Sequence, residues 1–314
     1  MFLQKERQRN SRKILIHGLD YFGPALAQFM SGEGWNFQYY PDRGIGNLIA
    51  MTQALEQCDL VYQIGGRVTV GRFLFATKLL GKQRIVMHWV GSDTMDEKKP
   101  VATGKSNPWV LNAIHHWADS EWIWREVTSL GVHCDLVPLP SPKAPAQPSP
   151  LPREFCVLVY VPSVKHSELY GLDVILEAAR QTPQIQFELV GLRDGPVPNL
   201  PGNIRVHNRI PDLTEFYKRA SVVWRPTRHD GLSWMVTESL GHGRHVLWTY
   251  PFPGCIQVTT ASEAAAHLRR LFQMHQGQNL PINEEGVRFI ASSEYYPQTF
   301  KADLLSRFAK ILES

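Results

Sequence analysis

Six prolines fall within residues 139–152, and no other stretch of the 314-residue chain is so biased. Proline has no backbone N–H and a fixed φ, so this segment can neither continue a helix nor fill a central strand. It reads as a semi-rigid connector between separately folded parts. On either side of it short apolar runs alternate with helical patterns. Before it, residues 13–17, 35–40, 60–64, 84–89 and 135–138 read as strands, and 22–30, 72–80 and 121–130 as helices. After it, strands are expected at 155–161, 187–190, 204–206, 222–224 and 245–248, with helices at 172–180, 213–219, 233–241, 262–274 and 300–312. That alternation predicts βαβ units and parallel sheets, hence an α/β fold. The expected division is an N-terminal domain at 1–140, the connector at 141–152, a second domain at 153–295 and a closing helix at 296–314.

Composition narrows the function classes. Forty-three per cent hydrophobic and twenty per cent charged is an ordinary globular balance, and a net charge of +4 is too small to suggest nucleic-acid binding. Cys58, Cys134, Cys156 and Cys255 lie far apart with no CxxC pair, which argues for free thiols rather than a zinc site or a disulfide framework. The start is polar and basic, through Lys5, Arg7, Arg9, Arg12 and Lys13, with no apolar core of a signal peptide. No run approaches the roughly 18 apolar residues that cross a bilayer. The expectation is a cytoplasmic protein, with the basic start as its one candidate contact to anionic lipid at the inner membrane face. Trp117, Trp122 and Trp124 offer an aromatic patch for an interface or an acceptor, or simply domain core, and core is expected for two of them.

The densest chemistry lies in residues 224–247. A strand ends at Trp224, a turn carries Asp230 and Gly231, and a helix opens near Ser233. The backbone N–H groups of Gly231, Leu232 and Ser233 then lie at a helix N-terminus, an anion site that suits a diphosphate. Asp230 and Glu238 flank a seven-residue spacer, which puts one carboxylate at the helix mouth and the other more than one turn inside. One can meet a sugar while the other accepts hydrogen bonds from a ribose diol. The plain alternative is a turn or cap residue and a solvated helix residue.

This stretch resembles the nucleotide-sugar motif of family 4 glycosyltransferases, in which a Pro-Ser-x-x-Glu-Gly opening is followed at the same spacing by a second glutamate. The resemblance extends over nearly the whole chain: residues 118–121, 131–132 and 137–140 look like the end of that family's acceptor domain, and 157–164, 171–178, 188–191 and 203–220 follow its donor domain in order. It implies a GT-B fold, two Rossmann-like domains facing across a cleft with a C-terminal helix crossing back to the first. It also implies transfer of a sugar from a nucleotide diphosphate donor, a UDP-sugar foremost, with retention of configuration and with neither metal nor other cofactor. The acceptor would be a glycan, a lipid-linked molecule or a small molecule. Glu238 would bind the donor ribose, and Asp230 stands where the family has a glutamate on the transferred sugar. His88 matches a histidine near the reacting sugar, Gly23 a glycine that lets backbone approach the donor phosphates, and Ile210 closes a segment on the donor side. Trp89 and Asp93 follow His88 on the acceptor side.

One departure concerns charge. Where the family carries Gly-Arg and then Lys-Gly after the first donor-domain strand, this chain has Pro162-Ser163 and Tyr170-Gly171. Lys165, Arg193 and Arg228 are the candidate replacements. The missing pair keeps two other readings open, a nucleotide-sugar-binding protein without turnover and a nucleotide-sugar epimerase on the same plan.

Overall fold

The computed structural model describes residues 11–41, 48–145, 147–208, 210 and 212–314. Lys5, Arg7 and Arg9 of the basic start, Ala146 of the connector, and Arg209 and Pro211 of the resembling segment lie outside the described residues. The chain forms two units, one from Met1–Pro142 with Pro297–Ser314, the other from Lys143–Tyr296. Each is built on a six-stranded sheet whose paired strands all run parallel.

The first sheet contains β1 (Arg12–Gly18), β2 (Trp35–Tyr40), β3 (Leu60–Ile64), β4 (Ile85–Trp89), β5 (His115–Ala118) and β6 (Cys134–Leu136), in the order β2-β1-β3-β4-β5-β6. β3 and β4 are buried along their whole length, as strands covered on both faces must be. One face packs Leu15, Val61 and Met87 in a core with Leu55, Phe73, Ile123 and Val127. These come from α2 (Leu48–Gln57), α3 (Arg72–Leu79) and α6 (Glu121–Ser129). Two further helices, α4 (Asp93–Ala102) and α5 (Pro108–Ala113), follow β4. Alternation along the strands sends Tyr62, His88 and Trp117 to the opposite face. There the chain's last helix, Pro297–Glu313, buries Phe308 with ring centroids 5.1 Å from Tyr62, 5.4 Å from Trp117 and 5.8 Å from Phe37. Lys301 Nζ of the same helix donates to the carbonyl of Phe29, in α1 (Gly23–Met30), at 2.7 Å.

The second sheet contains β7 (Cys156–Tyr160), β8 (Gln186–Leu192), β9 (Ile204–Asn208), β10 (Val222–Arg225), β11 (His245–Trp248) and β12 (Cys255–Gln257), in the order β12-β11-β10-β7-β8-β9. Its helices are α7 (Leu172–Gln181), α8 (Thr214–Arg219), α9 (Trp234–Gly241), α10 (Ala261–Gln276) and α11 (Glu284–Ser292), which makes the last helix of the chain α12. α10 starts where a capping box forms between Thr260 and Glu263, each satisfying an orphan backbone N–H of the other. The chain moves outward in opposite directions from β7 and β10. That reversal opens a crevice outside their carboxyl ends, where open α/β sheets take ligands.

The proline-rich segment is pinned to the second unit rather than left free. Arg244, fully buried, donates to the carbonyl oxygens of Ser149 and Pro150 and to that of Ala220. Among the described residues no carboxylate is paired with it, and burial lowers its pKa to about 10.

Candidate functional site

Two loops meet at the β7–β10 crevice. After β7 the chain makes a 3₁₀ turn at Val164–His166, and the Ser163 hydroxyl accepts the His166 N–H at 3.2 Å. The Val164 N–H donates to Asp194 Oδ1 at 2.7 Å, which ties this loop to the one after β8 and holds the Asp194 carboxyl below its usual range. The loop ends at Gly171, with φ +66°, where a Cβ would lie 2.3 Å from the carbonyl oxygen of Pro226. Only glycine permits that approach. The Arg228 N–H donates to the Leu169 carbonyl at 2.9 Å, so the loops after β7 and β10 are stitched together.

Asp230 sits within this seam. Its Oδ2 accepts from Arg225 Nε at 2.7 Å and from Thr227 Oγ1 at 3.2 Å, and its N–H donates to the Tyr250 hydroxyl at 3.1 Å. Ser233, not Asp230, is the N-cap of α9, and its hydroxyl makes no capping bond. Every residue of α9 is buried. Glu238 is 7% exposed, so it is an interior carboxylate and not a solvated helix residue. Gly231, Leu232 and Ser233 all lie in the turn that enters α9, with Leu232 and Ser233 buried. Ile210 packs with Tyr160 against the cluster of Leu158, Val190, Phe216 and Met235.

The three expected cations fare differently. Lys165, on the 3₁₀ turn, and Arg193, after β8, are exposed on neighbouring loops. Arg228 is 46% exposed, and its Nη1 and Nη2 hold Glu168 at 2.6 Å and Asp173 at 2.8 Å. These three side chains help line a hollow of about 430 Å³ whose two acids suit no anion. Arg225 is the cation that the sequence reading overlooked. It ends β10, is 9% exposed, and its guanidinium carbon lies 5.2 Å from the Tyr170 ring centroid and 5.7 Å from that of Tyr160. Burial opposes its charge, but Asp230, aided by both tyrosines, outweighs that and raises its pKa. The available signal was a charged residue closing an otherwise apolar strand, Val222 to Arg225, directly before proline.

In the first unit each expected site residue is bonded to or packed against the protein itself. His88 is 0% exposed. Its Nε2 donates to the Val137 carbonyl at 2.8 Å and its Nδ1 accepts from the Tyr62 hydroxyl at 2.7 Å. Burial lowers its pKa to about 3, so the ring is neutral. Trp89 is fully buried and donates Nε1–H to His116 Nδ1 at 3.2 Å. Asp93 accepts the N–H groups of Gly66 at 2.5 Å and of Val90 and Thr94 at 3.1 Å. Burial nonetheless pushes its carboxyl up to about 7, against these amides. Gly23 is required for packing: a Cβ there would lie 2.1 Å from the Tyr39 ring. Of the three tryptophans, Trp117 is core, Trp122 packs partly buried against the core, and Trp124 is exposed with its Nε1–H on the Cys134 carbonyl.

Among the described residues no group of three or more His, Cys, Asp or Glu is placed to hold a metal ion, and no helix is long and apolar enough to cross a membrane.

No family model matches the chain, and no curated protein matches it. Solved structures do. Sucrose-phosphate synthase from Thermosynechococcus elongatus superposes with a TM-score of 0.66 at 12% identity, over 96% of this chain and 100% of that one. A glycosyltransferase from Rickettsia africae gives 0.64 at 10%, over 97% and 100%. The pneumococcal O-GlcNAc transferase GtfA, solved in complex with UDP and GlcNAc, gives 0.56 at 12%, over 84% of this chain and 60% of that one. The fold is therefore the GT-B fold of glycosyltransferases, two Rossmann-like α/β units.

Proposed function

We propose that the chain is a glycosyltransferase of the family 4 type that binds a nucleotide diphosphate sugar, a UDP-sugar foremost, in the β7–β10 crevice and passes the sugar to a glycan, lipid-linked or small-molecule acceptor. The observation that carries this reading is a pair of carboxylates set at two depths of one helix entry. Asp230 stands in the loop before α9 and Glu238 is buried within it. The N-terminus of α9 supplies partial positive charge for the diphosphate. Glu238 accepts hydrogen bonds from the ribose diol, and Asp230 takes a hydroxyl of the transferred sugar. The similarity to GtfA, solved with UDP, supports uridine as the base to try first. Retention of configuration and independence of metal accompany the family reading.

The experiment is calorimetry with UDP on Glu238→Ala, with Glu238→Gln as a control for packing. Loss of a charge-assisted hydrogen bond at a buried site corresponds to about 1.5–3 kcal/mol. UDP affinity is expected to fall accordingly while the melting transition stays cooperative. Unchanged affinity in a folded Glu238→Ala protein overturns the assignment.

A further inference from the structure

We propose that Arg225, paired with Asp230, supplies the positive charge that meets the donor's diphosphate, a role none of Lys165, Arg193 and Arg228 is built for. This rests on the donor reading above and adds a residue to it. A guanidinium that closes a buried strand is costly unless it is paired and hydrogen-bonded. Arg225 meets that condition at the crevice. Its Nε–H is spent on Asp230 Oδ2 at 2.7 Å, and the Tyr170 hydroxyl shares a hydrogen bond with it. A guanidinium carries five N–H donors in a rigid fork that matches phosphate oxygens, so the pair leaves donors to spare. Two tyrosine rings, centroids 5.2 and 5.7 Å from its central carbon, hold the fork in place before any ligand arrives. Preorganised charge of this kind stabilises a leaving group without the cost of reorganising at the moment of reaction.

Placement supports the same residue. Arg225 is the last residue of β10, one of the two strands between which the sheet reverses direction, and α9 opens a few residues later. The guanidinium stacks on Tyr170, the position where the resembling family carries a lysine. The competitors are less suited. Arg228 already faces two carboxylates, so that trio is net negative. Lys165 and Arg193 are exposed, and an exposed long side chain gives up more freedom for a weaker, screened attraction.

The test compares a nucleoside diphosphate with its monophosphate. Calorimetry on the full chain uses UDP and UMP, then GDP with GMP and ADP with AMP. Arg225→Met is expected to weaken the diphosphate by about tenfold to a hundredfold, the loss of one or two charge-assisted hydrogen bonds. The monophosphate should change less than about threefold, and Arg225→Lys should recover part of the difference. Removing the arginine takes the cation away from a half-buried Asp230, so Arg225→Met/Asp230→Asn is measured alongside as a folded variant without that carboxylate's charge. Equal weakening of diphosphate and monophosphate in a folded variant makes the role purely structural and overturns the proposal. So does full retention of diphosphate affinity, above all if Lys165→Ala, Arg193→Ala or Arg228→Ala loses it. If the wild-type chain binds none of these diphosphates, the donor reading falls first and this inference with it.

Discussion

His88 and Arg225 are both polar side chains at the carboxyl end of a buried parallel strand, and they end in opposite situations. His88 points into the face that α12 covers and spends both nitrogens on the protein, whereas Arg225 is ion-paired with Asp230 and set against the rings of Tyr160 and Tyr170. Burial lowers the pKa of His88 to about 3, and of His116 and His242 to about 4. Each is neutral in the native state and takes up a proton near pH 6.5 when unfolded. Below that pH the unfolded chain binds more protons, so stability is present above pH 6.5 and is lost as pH falls towards 4, by up to about 1.4 kcal/mol per pH unit for each histidine. Asp93, raised to about 7, contributes with the opposite sign between pH 4 and 7 and offsets part of one histidine. Urea unfolding at a series of pH values should show the net acid loss, and His88→Gln should flatten the slope; an unchanged slope contradicts the assignment. The sequence shows a histidine after an apolar run, but which face of the strand it takes, and that a helix more than 200 residues later covers that face, are tertiary facts.

α12 and α9 show what periodicity can and cannot reveal about elements. The apolar spacing of residues 300–312 locates α12, yet five candidate positions, Phe300, Leu304, Leu305, Phe308 and Leu312, span more than one face. The structure selects Phe300, Leu304, Phe308 and Ile311 and leaves Leu305 and Leu312 half-buried. Phe308→Ala is therefore expected to cost about 3–5 kcal/mol, the range for a fully buried aromatic, and Leu312→Ala about 1 kcal/mol or less. Equal costs by denaturant titration contradict the chosen face. The motif locates α9, but polar Thr237, Glu238 and Ser239 make it look like a surface helix, and its complete burial is a tertiary fact. α2, α4 and α5 lack a clean apolar period, and α11 is short, with Gly286 in its first turn. α4 reads Asp-Thr-Met-Asp-Glu-Lys-Lys-Pro and even carries Pro100. It stands because Asp93 fixes the loop after β3 and Thr94 packs beneath it, both tertiary contacts.

For the whole molecule, the alternation of strands and helices on either side of six prolines was enough to read two parallel-sheet units, because parallel sheets need a crossover after every strand. What could not be read was how the connector is held. Its prolines rule out regular structure but do not reveal the buried Arg244 that binds it. Because each unit has its own core, ligand binding should stabilise them unequally. A nucleotide at about 100 times its dissociation constant adds about 2.7 kcal/mol to whatever it binds. If the donor occupies the β7–β10 crevice, that gain belongs to the second unit. Hydrogen exchange with saturating UDP should slow across residues 160–171 and 225–238, whose loops are already stitched by the Arg228–Leu169 bond. α12 and strands β1–β6 should exchange as before, since their opening is not linked to the nucleotide. Protection confined to the first unit would place the nucleotide on the other sheet and reverse the roles assigned to the two units.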